Sequence, residues 1–192
     1  MSDKSADAAA AGEWPIVDAD LGYRIQQFYF HEAELLDDGR FADWLDLMAD
    51  DLEYWAPTRT NRLRRQQALS IAKPGEAAFY DETKDSLAWR IRRFDSGMAW
   101  AEDPPSRTRH IISNIVARRV PDEHVTSDAA GEEYEVRSAF LVWRSRLERE
   151  LDLYAGSRTD RLRATDEGFT IARRTILFDS NVLMVKNIST FF

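Results

Sequence analysis

Glu32 is the residue whose position most demands a chemical explanation. Its helical phase sets it between Phe28 and Leu36, in the middle of a run of apolar residues recurring every three or four positions. A carboxylate on such a face must be ion-paired or must shift its pKa, because an unpaired buried charge is too costly. Two chemistries follow. Glu32 could point into a cavity as a general base, or it could form a buried Glu–Arg pair that fixes its helix to a sheet. His110 carries the same ambiguity, as a pocket histidine or as a satisfied histidine at the mouth of a strand. The other two histidines are His31, at the edge of the same helical face, and His124, in a polar loop beside Glu123. A non-haem iron site wants two histidines and a carboxylate converging, and nothing sets these three on a common wall. There is no G-x-G-x-x-G, P-loop, G-x-S-x-G or H-E-x-x-H motif. With no cysteine, the chain can form neither a disulfide nor a thiolate metal site, and it has no Cys nucleophile.

The densest collection of polar and aromatic side chains is Gly97-Met-Ala-Trp-Ala-Glu-Asp-Pro-Pro-Ser-Arg-Thr-Arg-His110. Pro104 and Pro105 cannot continue a helix, since neither ring nitrogen carries a donor and the residue before a proline avoids α geometry. The stretch therefore reads as an extended connector between a helical half and a sheet half. A second concentration, Arg59, Arg62, Arg64 and Arg65, would need an aromatic or basic continuation to bind nucleic acid, and Gln66-Gln67-Ala68 supplies neither.

The elements that must position these residues follow from periodicity. Asp18 or Asp20 can cap a helix running to about Leu36, with Leu21, Ile25, Phe28, Tyr29, Leu35 and Leu36 on one face and Gly39 suited to the left-handed position after it. Phe41, Trp44, Leu45 and Met48 mark a second, short helix. A strand over 52–56 stops at Pro57, and 81–94 returns to helix with Leu87, Ile91 and Phe94 as its core stripe. Beyond the connector the chain reads as sheet: 109–120, a polar loop over 121–132, then 134–147, 151–163 and 169–178 joined by short turns. In 134–147, Tyr134, Val136, Phe140 and Val142 form one face. Ala139, Leu141, Trp143 and Leu147 make the other face apolar too, so both faces are expected to be at least partly covered. Helices followed by an antiparallel meander make an α+β fold with the helices packed on one face of a curved sheet.

Composition bounds the rest. A chain of 192 residues is most simply one domain, here 16–192, preceded by an Ala-, Ser- and Asp-rich arm over 1–15 expected to be disordered. No apolar run is long enough to cross a bilayer and no Arg-led apolar leader opens the chain, so a cytoplasmic protein is expected. A net charge of −8 argues against nucleic acid as a general partner. Of the basic residues 22 are Arg and four are Lys. Arg suits desolvated interface ion pairs, although a surface Arg bias in a high-GC organism accounts for the same excess.

Several blocks resemble the small (β) subunit of aromatic-ring-hydroxylating dioxygenases. They are Phe28-Tyr-Phe-His-Glu-Ala-Glu-Leu-Leu-Asp-Asp with Phe41-Ala-Asp-Trp-Leu, Tyr54-Trp-Ala-Pro-Thr-Arg-Thr-Asn, the central Ser96-to-Asn114 block, and Lys186-Asn-Ile-Ser-Thr-Phe-Phe. The blocks are in order and span nearly the whole chain, and they look closest to the biphenyl, toluene and phenylpropionate group. The resemblance implies a SnoaL-like, cystatin-like cone. It also implies a non-catalytic structural subunit of a terminal oxygenase that cis-dihydroxylates an aromatic hydrocarbon. By the same resemblance this chain holds no cofactor. A large (α) subunit holds the Rieske 2Fe-2S cluster and mononuclear iron, the assembly is α3β3, and ferredoxin and reductase supply electrons. Trp100, Asp103, Arg107 and Arg109 are then the expected subunit-interface residues. The rival reading is a free-standing dehydratase or isomerase of the same fold, using Glu32 and His110 in a pocket.

Overall fold

The structure is a computed structural model that describes residues 14–95, 104–125, 131–148, 150–183 and 188–192. Helix α1 (Ala19–Asp37) begins where Asp18 accepts a hydrogen bond from the Leu21 amide at 2.9 Å. It ends in a Schellman motif: Arg40 N–H reaches the Leu35 carbonyl, Gly39 N–H reaches the Leu36 carbonyl, and Gly39 takes φ +69°. Helix α2 (Phe41–Asp46) follows, with Trp44 fully buried.

Strand β1 (Met48–Pro57) is longer than the 52–56 expectation, and β2 (Ala78–Glu82) pairs back on it antiparallel. Asp81, expected to open a helix, is therefore strand. Helix α3 (Lys84–Asp95) starts after Thr83, whose amide is bonded by the Ser86 hydroxyl and whose carbonyl takes the Leu87 amide. That local capping chemistry, set two residues beyond Asp81, decides the boundary.

Strands β3 (Arg107–Arg119), β4 (Glu133–Arg146), β5 (Glu150–Thr165) and β6 (Gly168–Phe178) form the expected antiparallel meander. The six strands lie in the order β2-β1-β6-β5-β4-β3, and β1 runs parallel to β6, a pairing that meander logic does not supply. The helices lie on one side of this sheet, α1 chiefly against β3 and α3 against β1. Between the layers sits one large core of Ile25, Tyr29, Trp44, Tyr54, Leu87, Val136, Phe140, Ile176 and Phe178 among others. Gly156 lets β5 pack closely between its neighbours β4 and β6, because a Cβ there would meet the Leu177 carbonyl oxygen at 2.3 Å and the Phe140 ring at 2.8 Å.

Within the arm expected over 1–15, Trp14 is buried on a small cluster with Val120, and the Pro15 carbonyl accepts the Arg119 amide at 3.0 Å. Residues 1–13 lie outside the described residues. The outer face of β3–β4–β5 departs most from expectation. Leu141, Trp143 and Leu147 are exposed rather than covered.

Candidate functional site: a sealed interior and an open outer face

Glu32 projects from α1 onto β5 and β6, where Arg158 and Asp160 turn inward by strand alternation and Arg174 by the register slip at Ala172. Arg174 donates Nη2 to Glu32 Oε2 at 3.0 Å and Nη1 to Glu32 Oε1, while its Nε and Nη2 reach the two oxygens of Asp160 at 3.0 and 2.7 Å. Arg158 Nη1 lies 3.3 Å from Glu32 Oε2, with its guanidinium over the Tyr29 ring. Trp44 Nε1 donates to Glu32 at 3.1 Å and the Tyr29 hydroxyl to Asp160 at 2.8 Å. Two acids and two guanidinium groups give a formally neutral cluster, which makes complete burial tolerable. Burial alone would raise the Glu32 carboxyl, but the charges of Arg174 and Arg158, aided by hydrogen bonds from Arg174 and Trp44, override it and hold the group at about 2. Burial would lower Arg174, and Asp160 with Glu32 instead raises it well above its ordinary value. An acid so firmly ionised, with its oxygens committed to three donors, is a poor general base near neutral pH. Its geometry is that of the buried pair fixing a helix to a sheet.

His110 occupies a separate position at the start of β3. Its Nδ1 lies 2.6 Å from Asp37 Oδ1, its amide donates to both Asp37 oxygens, and its Nε2 lies 3.0 Å from the Phe191 carbonyl oxygen. Asp37 is the last residue of α1, where the helix dipole disfavours negative charge. The His110 amide and ring, with Arg109 Nη1 at 3.2 Å, supply the compensation. Both ring nitrogens thus face oxygens of the chain itself and leave no free imidazole edge for a substrate. Glu32 and His110 do not meet in an open pocket. The shallow cleft beside α1, lined by Ile16, Tyr23, Gln26 and Val116, contains neither.

The three histidines stay apart. His31 is exposed near Glu34, His124 packs beside the Trp14 ring, and His110 is on Asp37. Among the described residues no group of three or more His, Asp or Glu could hold a metal ion. A Rieske cluster needs two Cys and two His, so the donor set of this chain does not fit one. No helix among the described residues is long and apolar enough to cross a membrane.

Of the expected interface residues, Trp100 and Asp103 lie outside the described residues. Arg107 and Arg109 are exposed on β3, the edge strand of the sheet. The register places them at the ends of two of three adjacent cross-strand rows: Arg107–Ser145–Leu151, Arg109–Trp143–Leu153 and Ile111–Leu141–Ala155. Leu151 and Leu153 are 65% and 61% exposed and Trp143 40%, so these rows form an apolar outer face rimmed by two arginines. Exposed apolar surface of this kind is a feature common to protein interaction sites. The alternation of β4 and the Leu151–Leu153 pair on β5 signal this face in the sequence. What the sequence does not signal is that no part of the described chain covers it.

The ring hydroxylating beta subunit family model matches residues 31–185. The chain is 43% identical over 178 residues to biphenyl 2,3-dioxygenase subunit beta of Rhodococcus jostii (strain RHA1), covering 92% of this chain and 91% of that one. In three dimensions it superposes on a chain of naphthalene 1,2-dioxygenase with indole bound in the active site. The TM-score is 0.80 at 21% identity, over 99% of this chain and 95% of that one. The same fold recurs in ActVI-ORFA of Streptomyces coelicolor, at TM-score 0.56 and 14% identity over 84% of this chain and 97% of that one. Family match, identity and coverage agree: the chain belongs to the β subunits of aromatic-ring-hydroxylating dioxygenases.

Proposed function

We propose that this chain is the assembly-building, non-catalytic small subunit of a terminal oxygenase, joined to a large subunit as α3β3 in the cytoplasm. The large subunit carries the Rieske cluster and mononuclear iron. It adds both atoms of O2 to an aromatic hydrocarbon as a cis-dihydrodiol, with electrons arriving through reductase and ferredoxin. The observation that carries the reading is the open apolar face on β3, β4 and β5 with Arg107 and Arg109 at its rim. Trp and Arg are enriched where subunits meet. Trp100 and Asp103, a few residues before β3 in sequence, are proposed to extend the same contact. The sealed interior supports the reading from the other side, since Glu32 and His110 are both consumed by internal partners.

Co-expression with the neighbouring large-subunit gene, followed by native mass and iron determination, tests it. An equimolar hexamer with all iron on the partner is expected. A chain that purifies alone and turns over a substrate by itself, with activity lost in Glu32→Gln, would overturn it.

A further inference from the structure

The interior of the cone is filled by the chain's own residues 191 and 192, and they are held as a ligand is held. The Phe192 ring sits among Phe178, Tyr154 and Phe140, with ring centroids 4.9, 5.1 and 5.6 Å away. Its backbone oxygen accepts from Arg174 Nη1 and from the Tyr54 hydroxyl, both at 2.9 Å, and its amide donates back to that hydroxyl at 2.9 Å. Phe191 stacks on Trp44 at 4.7 Å and gives its carbonyl oxygen to His110 Nε2. Tyr80 donates to the Thr190 carbonyl at 2.8 Å. This contact set has the make-up of a small-molecule site: aromatic walls, a few convergent polar groups and a buried cation. A second observation concerns Arg158, which shares the Glu32 carboxylate with Arg174. Although almost completely buried, its Nε and Nη2 find no hydrogen-bond partner among the described residues. Donor capacity beside the Glu32–Arg174 pair thus exceeds what the described side chains use.

We infer that the cone interior is a binding chamber for an arylalkyl acid or amide, and that Phe191 and Phe192 are its resident, intramolecular ligand. Ring recognition belongs to Tyr80, Phe140, Tyr154 and Phe178. Acyl-oxygen recognition belongs to Arg174 and Tyr54. The charge cluster then does two tasks, anchoring α1 and presenting one arginine N–H to the occupant. Glu32 and Asp160 orient that arginine through their hydrogen bonds to it.

The test uses the full chain carrying Phe191→Ala and Phe192→Ala together, with N-acetyl-phenylalanine amide and N-acetyl-phenylalanine as probes. A saturable rise in melting temperature is expected, of roughly 5–10 °C at a hundredfold excess over Kd, with no rise for the unaltered chain. Adding Tyr54→Phe should weaken probe binding at least about tenfold, since it removes both buried hydrogen bonds of the hydroxyl. A folded double variant that responds to neither probe would show that the interior collapses, and the inference fails. An equal response from the unaltered chain would move the site elsewhere and also defeat it. If the double variant does not fold, Phe192→Ala alone is refolded from urea with and without probe. Recovery that needs the probe supports the chamber, and identical outcomes with and without it overturn it.

Discussion

Arg174 grips Glu32 with both terminal nitrogens while its Nε and Nη2 engage Asp160, so one guanidinium on β6 ties α1 to β5. Removing a single member strands the others. In Arg174→Met the two buried carboxylates lose their shared cation, leaving Glu32 with Arg158 and Trp44 and Asp160 with the Tyr29 hydroxyl, and the expected loss is about 3–5 kcal/mol. For a chain of this size that lowers the melting temperature by roughly 10 °C. Thermal unfolding followed by circular dichroism measures it, and a shift below about 2 °C would show that the cluster does not anchor the helix.

The same cluster sets an acid limit. Glu32 is held at about 2 in the folded chain against an ordinary 4.5. The depressed group contributes stability that is complete above the unfolded value and is lost as pH falls through the folded one. Stability should therefore decline between about pH 4.5 and 2, with this residue contributing on the order of 3 kcal/mol to the decline. Urea midpoints measured across that window report it. Glu32→Gln should flatten the slope there, and an unchanged slope would assign the acid sensitivity to other carboxylates.

Gly156 offers a steric test. An added Cβ would lie 2.3 Å from the Leu177 carbonyl oxygen, which the β5–β6 ladder holds in place, and 2.8 Å from the Phe140 ring. Gly156→Ala should cost about 2–3 kcal/mol in chemical denaturation. Pairing it with Phe140→Leu relieves only the ring contact, so the double variant should stay below Phe140→Leu alone. Full rescue by Phe140→Leu would place the strain on the ring instead of the backbone.

The helices were legible because their signals are local: a capping Asp18, a left-handed Gly39, and the 3.6-residue spacing from Leu21 to Leu36. The meander was legible from alternation and short turns. Glu32 stood out because it breaks an apolar stripe, and a partner arginine could be anticipated but not named. Arg158 and Asp160 do share the inward phase of Tyr154 and Leu162, a signal available in the sequence. Arg174 is different. Alternation from Phe169 and Ile171 would turn Arg173 inward, but the β5–β6 register slips at Leu162, inserting Ala172 and reversing the phase. The parallel β1–β6 pairing and the burial of 191 and 192 depend on contacts between distant parts of the chain, which no local pattern encodes.

The outer face yields the prediction closest to function. Trp143 stands in the centre row of the apolar patch, between Arg109 on β3 and Leu153 on β5. Trp and Arg dominate binding energy at protein interfaces, and a central Trp is typically worth 2 kcal/mol or more on truncation, which is about thirtyfold in affinity. In the isolated chain Trp143 is 40% exposed, so its removal should cost little fold stability. Trp143→Ala and Leu153→Lys should thus leave the melting temperature of the isolated chain within about 2 °C. On co-expression with the large subunit both should shift the native mass from the assembled complex toward free subunits. Arg107→Ala should act the same way more weakly, as a rim residue. Arg109→Ala is less clean, because Arg109 also reaches Asp37 at 3.2 Å, although a side chain 70% exposed contributes little through that ion pair. Analytical ultracentrifugation of the four variants beside the unaltered complex separates the cases. Normal assembly in both Trp143→Ala and Leu153→Lys would mean that the large subunit and neighbouring copies dock elsewhere, and the apolar rows would lose their assigned role.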